Sequence, residues 1–260
     1  MPYETLKLDC AGAVATLMLN RPEKRNALST QMIEELVAAL AEVESGPARV
    51  LILTGAGEAF CSGMDIGDLR ALTAQPVEDA IEDSRRIAKL FRALYGFSKP
   101  HIAAVNGAAV AGGCGIATLT DFTLAAPEAK FGYPEARIGF IPAIVSVFLV
   151  RQIGEKRARD LLLSGRVISA EQACQTGLLN EIVPREKLLD RARDLAAQLI
   201  ALSPSSLLFT KRLLRDYSEA EIDREIDLAV QANAKIRSTE DFREGVTAYL
   251  EKRKPRWGGQ

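Results

Sequence analysis

Residues Asn106–Asp121 read NGAAVAGGCGIATLTD, and Gly112, Gly113 and Gly115 surround Cys114 where the pattern otherwise begins a buried helix. An interior glycine costs up to about 1 kcal/mol against alanine in a helix, so such clustering marks a place where backbone must approach something closely. Either the helix end lies tight against a strand, or a ligand comes up to the peptide groups themselves. HIAAV (His101–Val105) precedes the cluster and a strand-like DFTLAA begins at its last residue, Asp121, so the stretch belongs to a strand, turn, helix, strand succession.

Similar punctuation extends outward on both sides. AVATLML (Ala13–Leu19) and VLILT (Val50–Thr54) read as strands, and between them Met32, Ile33, Leu36, Val37 and Leu40 recur at helical spacing behind a Ser/Thr cap. A helix through Ile87, Leu90, Phe91 and Leu94 runs into the breaker Lys99-Pro100. The alternation predicts an α/β fold. Past Phe140 the spacing predicts amphipathic helices around Ala158–Leu163, Ser169–Thr176, Lys187–Leu202 and Ser205–Tyr217, the second opened by a capping box of Ser169 and Gln172. Ser203-Pro204 is the natural boundary, because proline disfavours helix at the residue before it. It divides a core, residues 1–202, from a region, 203–260, that reads as wholly helical.

The 260 residues suffice for a substantial core without staples. Lysine and arginine total 33 against 34 acids, so charge gives no case for nucleic acid or an anionic membrane. Cys10, Cys61, Cys114 and Cys174 form no CxxC pair and the only histidine is His101, which argues against zinc or a disulfide framework and for a reducing, cytoplasmic setting. The opening residues carry no export signal, and no apolar run approaches the roughly 18 residues of a membrane span.

Familiar catalytic motifs fail on spacing. Thr54-Gly55-Ala56-Gly57 follows a strand, but a dinucleotide fingerprint would need glycine at Phe60. There is no P-loop and no GxSxG. A dyad of Cys61 and His101 stays open on residues alone, although His101 reads more simply as a strand-end residue with a satisfied ring. Glu135, after Pro134, reads either as a surface turn residue or as a functional carboxylate.

Taken in order, RPEKRNAL (21–28), AFCSGMDIGDL (59–69), NGAAVAGGCG (106–115), FGYPEARIGFIP (131–142), GRVISAEQACQTGLLNEIV (165–183) and FREGVTAYLEKRKPRW (242–257) resemble the enoyl-CoA hydratase/isomerase family, the crotonases. The resemblance implies a spiral of ββα units with a C-terminal helical region that assembles into trimers or dimers of trimers. It makes an acyl-CoA thioester the substrate, with coenzyme A part of that substrate and no separate cofactor or metal. The backbone N–H groups of Met64 and Gly112 would stabilise the enolate oxygen, and Glu135 would move the proton. Ser62, Asp65 and Ile66, with Ala27 and Gly113, would line the substrate, and Lys24 and Arg25 would meet the phosphates. The tail run EKRKPR would add phosphate contacts from a neighbouring subunit. Met64, bulkier than the alanine common there, would reshape the acyl pocket.

One departure matters. Hydratases of the family usually carry a second glutamate at the position of Gly115. The implied reaction is hydration of a trans-2-enoyl-CoA to a 3-hydroxyacyl-CoA, with Δ3-Δ2 isomerisation by a single glutamate as the alternative. Hydrolysis, decarboxylation and a non-catalytic scaffold stand behind these.

Overall fold

The structure, a computed structural model, describes residues 3–65, 67, 71–73 and 75–258. Its larger sheet runs in the order β1-β2-β3-β5-β7-β10: β1 (Leu6–Ala11) lies antiparallel on β2 (Val14–Leu19), and β3 (Val50–Gly55), β5 (His101–Val105), β7 (Phe122–Ala125) and β10 (Glu181–Ile182) continue in parallel. The smaller sheet holds β4 (Ala59–Cys61), β6 (Ala108–Val110), β8 (Lys130–Gly132) and β9 (Val167–Ser169). Successive strands therefore alternate between sheets: β3 then β4, β5 then β6, β7 then β8. That is a spiral of ββα turns. The three-residue strands of the small sheet are too short to show periodicity, so the sequence predicts only a glycine-rich turn where β6 stands.

β3 and β5 are buried along their whole length because both faces are covered. On one face lie α1 (Thr30–Ser45), capped by Ser29 accepting from Met32 N, and α2 (Val77–Tyr95). On the other, Leu188, Ala192, Ala196 and Leu199 of α7 (Leu188–Ile200) meet Val50, Ile52, Ile102 and Leu124. Between them in sequence come α3 (Gly112–Thr118), α4 (Ala143–Ile153), α5 (Glu155–Ser164) and α6 (Ala170–Thr176), the last with both hydrogen bonds of its Ser169–Gln172 capping box. Periodicity does not predict α4, because AIVSVFLVRQI buries residues nearly all round and leaves no polar face to reveal the turn.

Ser203 caps α8 (Pro204–Asp216), accepting from Ser206 N, with Pro204 in the first turn. None of the residues of α8 is buried. α9 (Glu219–Ile236) packs instead on α2 and α4, and α10 (Glu240–Leu250) lies on the 3-10 turn Pro134–Ile138. The expectation of an entirely helical C-terminal region is corrected here: Lys252 takes φ 55 and no helix follows through Gly258. No described helix is long and apolar enough to cross a membrane.

His101 opens β5 with its ring buried, and Nδ1 lies 2.8 Å from Asp121 Oδ2. Lys211 of α8 pairs with the same carboxylate and donates to Lys99 O at 3.0 Å, pinning α8 to the sheet. Only half of the ring is satisfied, since Nε2 has no partner among the described residues. The structure does not form the Cys61–His101 dyad: no hydrogen bond joins the two among the described residues, and burial pushes the Cys61 thiol up to about 12.

Candidate active site

A cavity of about 510 Å³ opens between the 3-10 turn after β8, the start of α3, and helices α1, α2, α4, α9 and α10. Its walls are mostly apolar, with Leu28, Ile33, Phe91, Phe140 and Val145 prominent, and Glu135 is the one carboxylate in its described lining.

Glu135 owes its position to the turn that carries it. Pro134 starts the 3-10 turn, Gly139 ends it at φ 66, and Phe140 N donates to Glu135 O at 3.0 Å. The side chain is 8% exposed and Oε2 is buried without a hydrogen-bond partner among the described residues. A surface turn residue would be solvated; this one is not. Burial disfavours its charged form and pushes its pKa up to about 7. A carboxyl poised there can take or give a proton at neutral pH.

Met64 and Gly112 line the same cavity, and their peptide N–H groups have no hydrogen-bond partner among the described residues. Leu28 N donates to Gly63 O at 2.7 Å and Asp65 N donates to Leu28 O at 3.0 Å, a parallel bridge that turns the N–H of Met64, between them, away from Leu28. Gly112 is the first residue of α3, whose opening N–H groups have no partner within the helix, and no side chain caps that end. The segments touch, since a Cβ on Gly63 would lie 2.8 Å from Ala111 Cβ and 3.8 Å from Gly112 N. Two donors and one buried carboxyl thus border one mostly apolar pocket, an arrangement suited to stabilising an oxyanion while a proton moves.

The glycine cluster turns out to serve both purposes. Gly112 borders the cavity, but a Cβ on Gly113 would fall 2.4 Å from Cys61 O, and one on Gly115 would fall 2.5 Å from Phe91 Cε1 and 2.7 Å from Val145 Cγ1. Gly113, expected at the substrate, therefore packs against β4 and does not line the cavity. At Gly115, the space a longer side chain would enter is held by two apolar groups.

Of the remaining expected residues, Lys24, Arg25, Ala27, Ser62 and Asp65 belong to one hydrogen-bonded cluster with Arg21, the rim. Ser62 N donates to Arg25 O at 3.1 Å, Arg21 Nη1 to Ala27 O at 2.7 Å, and Arg21 Nη2 meets Asp65 Oδ2 at 2.8 Å. Burial works to raise the Asp65 pKa, but Gly67 N–H and Arg21 outweigh it and hold the carboxyl below its ordinary value. Asp65 thus braces the loop with its side chain. Lys24 and Arg25 are exposed, Ala27 is buried beneath Arg21, and of the rim residues Ser62 lines the cavity. Ile66 lies outside the described residues.

Sequence reasoning missed the residue that shapes this rim. Arg25 and Asn26 both take left-handed φ, 50 and 54, and fully buried Asn26 accepts from Arg21 N and donates to Ala56 O and Ala59 O, each at 2.9 Å. A lone Asn in a polar run gives no sign of such burial. It also missed the contribution of the C-terminal helices, which bring Asn233, Gly245 and Tyr249 to the cavity wall.

Comparison with known proteins places this pocket in context. Residues 9–260 match the enoyl-CoA hydratase/isomerase family. A Thermus thermophilus protein provisionally named an enoyl-CoA hydratase is 44% identical over 247 residues, 95% of this chain and 98% of that one. The crotonyl-CoA hydratase of Syntrophomonas wolfei is 36% identical over 257 residues, 98% of each chain. The crystal structure of an enoyl-CoA hydratase/isomerase from Xanthobacter autotrophicus Py2 has a TM-score of 0.88 at 29% identity, covering 96% of this chain and 97% of that one.

Proposed function

The chain belongs to the enoyl-CoA hydratase/isomerase family, and on that premise we propose that it adds water to a trans-2-enoyl-CoA, giving a 3-hydroxyacyl-CoA. The observation that carries this reading is the buried, unpaired Oε2 of Glu135 in one cavity with the N–H groups of Met64 and Gly112. The thioester oxygen accepts from those two donors. Glu135, as carboxylate, takes a proton from water as the oxygen attacks C3, and the electron pair moves through C2 to the thioester oxygen. Glu135 then returns the proton to C2. Each oxyanion donor of this kind contributes about 100 to 1,000-fold in rate. Names borne by relatives, crotonyl-CoA hydratase among them, support hydration.

Gly115 favours a second reading. With Phe91 and Val145 filling the neighbouring space, Glu135 has no carboxylate partner there to help hold water, and abstraction of a proton at C2 of a 3-enoyl-CoA with return at C4 needs only one base. Coenzyme A would lie along the rim, its adenine on the backbone of Ser62, Asp65 and Ile66 and its phosphates near Lys24 and Arg25. Neither reaction needs another cofactor or a metal. The exposed apolar face of α8 fits a homotrimer or a dimer of trimers, in the cytoplasm. The test is Glu135→Gln: turnover is expected to fall about 100 to 10,000-fold while a saturated acyl-CoA still binds. Loss of binding together with turnover would make Glu135 structural and overturn the reading.

A further inference from the structure

Of the polar side chains that line the cavity, only Glu135 and Asn233 are buried, and Asn233 has no part in the proposed reaction. Asn233, on α9, lines the wall and is 4% exposed. Its Oδ1 accepts from Arg237 Nη2 at 3.0 Å and lies 2.9 Å from Ser84 Oγ on α2. Arginine only donates, so the atom facing Arg237 must be the oxygen and the amide's orientation is fixed. Nδ2, with two N–H donors, is then turned from that network and has no protein acceptor among the described residues.

The supporting network is built to hold this orientation. Arg237 is itself 4% exposed, reaches Gln75 at 3.2 Å and Asp83 at 3.5 Å through Nη1, and lies over the Phe140 ring. Its Nε is buried without a partner, so the region has donors in surplus. A ligand that fills the cavity strips water from this donor, and leaving it then without an acceptor is costly, so an acceptor on the ligand is favoured. Ser84 precedes Phe91 by two turns of α2, about 10 Å. Asn233, bonded to Ser84, therefore stands along the cavity from the Gly115–Phe91 contact, and on the acyl-CoA reading of the site it would flank the acyl chain.

We infer that Asn233 is a specificity-determining donor, and that the preferred acyl chain carries an oxygen acceptor, a carboxylate or a hydroxyl, beyond the reacting carbons. This rests on the acyl-CoA reading of the site, and binding of unreactive saturated ligands tests it separately from turnover.

The experiment compares, by calorimetry on the full chain, saturated acyl-CoAs of four to ten carbons ending in methyl with the same lengths ending in carboxylate or hydroxyl. At one length or more, an oxygen-terminated member is expected to bind about tenfold more tightly than its methyl counterpart. Asn233→Asp, which retains an acceptor for Arg237 and Ser84 but turns an oxygen toward the cavity, is expected to abolish that preference. Asn233→Ala, checked for an intact melting transition, should abolish it too. Methyl-terminated chains binding as tightly at every length, or a preference surviving both substitutions, would overturn the inference. Selective binding without hydration of the matching 2-enoyl-CoA would instead remove the hydratase reading and leave this one standing.

Discussion

On the proposed mechanism, Glu135 couples catalysis to stability through one proton. Unfolded, its carboxyl titrates at the ordinary value of 4.5; folded, it does so at about 7. Between those values the native chain keeps a proton the unfolded chain has released, so stability falls as pH rises through the window and levels off above it. At about 1.4 kcal/mol per pH unit the cost is on the order of 3 kcal/mol. Glu135→Gln is therefore expected to be more stable than the parent at pH 8 and nearly equal at pH 4, as denaturant midpoints would show; equal midpoints at pH 8 would contradict the burial argument. The same proton must leave before the carboxylate can act as a base, so kcat/KM is expected to rise with pH through about 7, and a profile flat from pH 5.5 to 8.5 would speak against this role. At this scale Glu135, Met64 and Gly112, the three residues the family resemblance picks out, line one cavity in the structure. Asn233 was not legible in the sequence, because its partner Ser84 lies 149 residues away and nothing in either neighbourhood announces the contact. Gly113 misled for a related reason: adjacent glycines look alike in a sequence, and only the packing on Cys61 separates the one that serves β4 from the one that borders the cavity.

Among elements, the contact between α10 and the 3-10 turn holds the proposed base in place. A Cβ on Gly245 would fall 2.3 Å from both C and O of Ile138, main-chain atoms that cannot swing aside, three residues past Glu135. Gly245→Ala is expected to lower kcat at least tenfold at a temperature where the variant remains folded, since misplacement by a fraction of an ångström suffices; an unchanged kcat would show that the turn is positioned by β8 alone. The sequence made α5 to α8 legible because each sets polar residues against an apolar stripe. It concealed α4, which is buried nearly all round, and β4, β6 and β8, whose three residues are shorter than any period can reveal.

On the scale of the whole molecule, α8 is the element without an internal explanation. Leu208, Phe209, Leu213 and Leu214 are all exposed, Phe209 at 64%, while Lys211 on the same helix is fixed to the sheet through Asp121 and beside His101. A helix anchored so firmly and left so apolar suits burial against other copies. Sedimentation is expected to show trimers or hexamers that the pair Phe209→Asp and Leu213→Asp dissociates; a monomeric parent would refute this assembly. The spiral topology was legible through the ordered motifs more than through periodicity, since the alternation of strands between two sheets depends on chain crossings that no local pattern encodes. The pocket, by contrast, is assembled from both ends of the chain, and what it catalyses is settled by product. The decisive measurement follows the ultraviolet absorbance of a short trans-2-enoyl-CoA mixed with the purified protein. The account expects the conjugated-thioester band to fall, with 3-hydroxyacyl-CoA formed and no free thiol released; an unchanged band, with a rise when a 3-enoyl-CoA is supplied, would contradict hydration and establish isomerisation by a single glutamate.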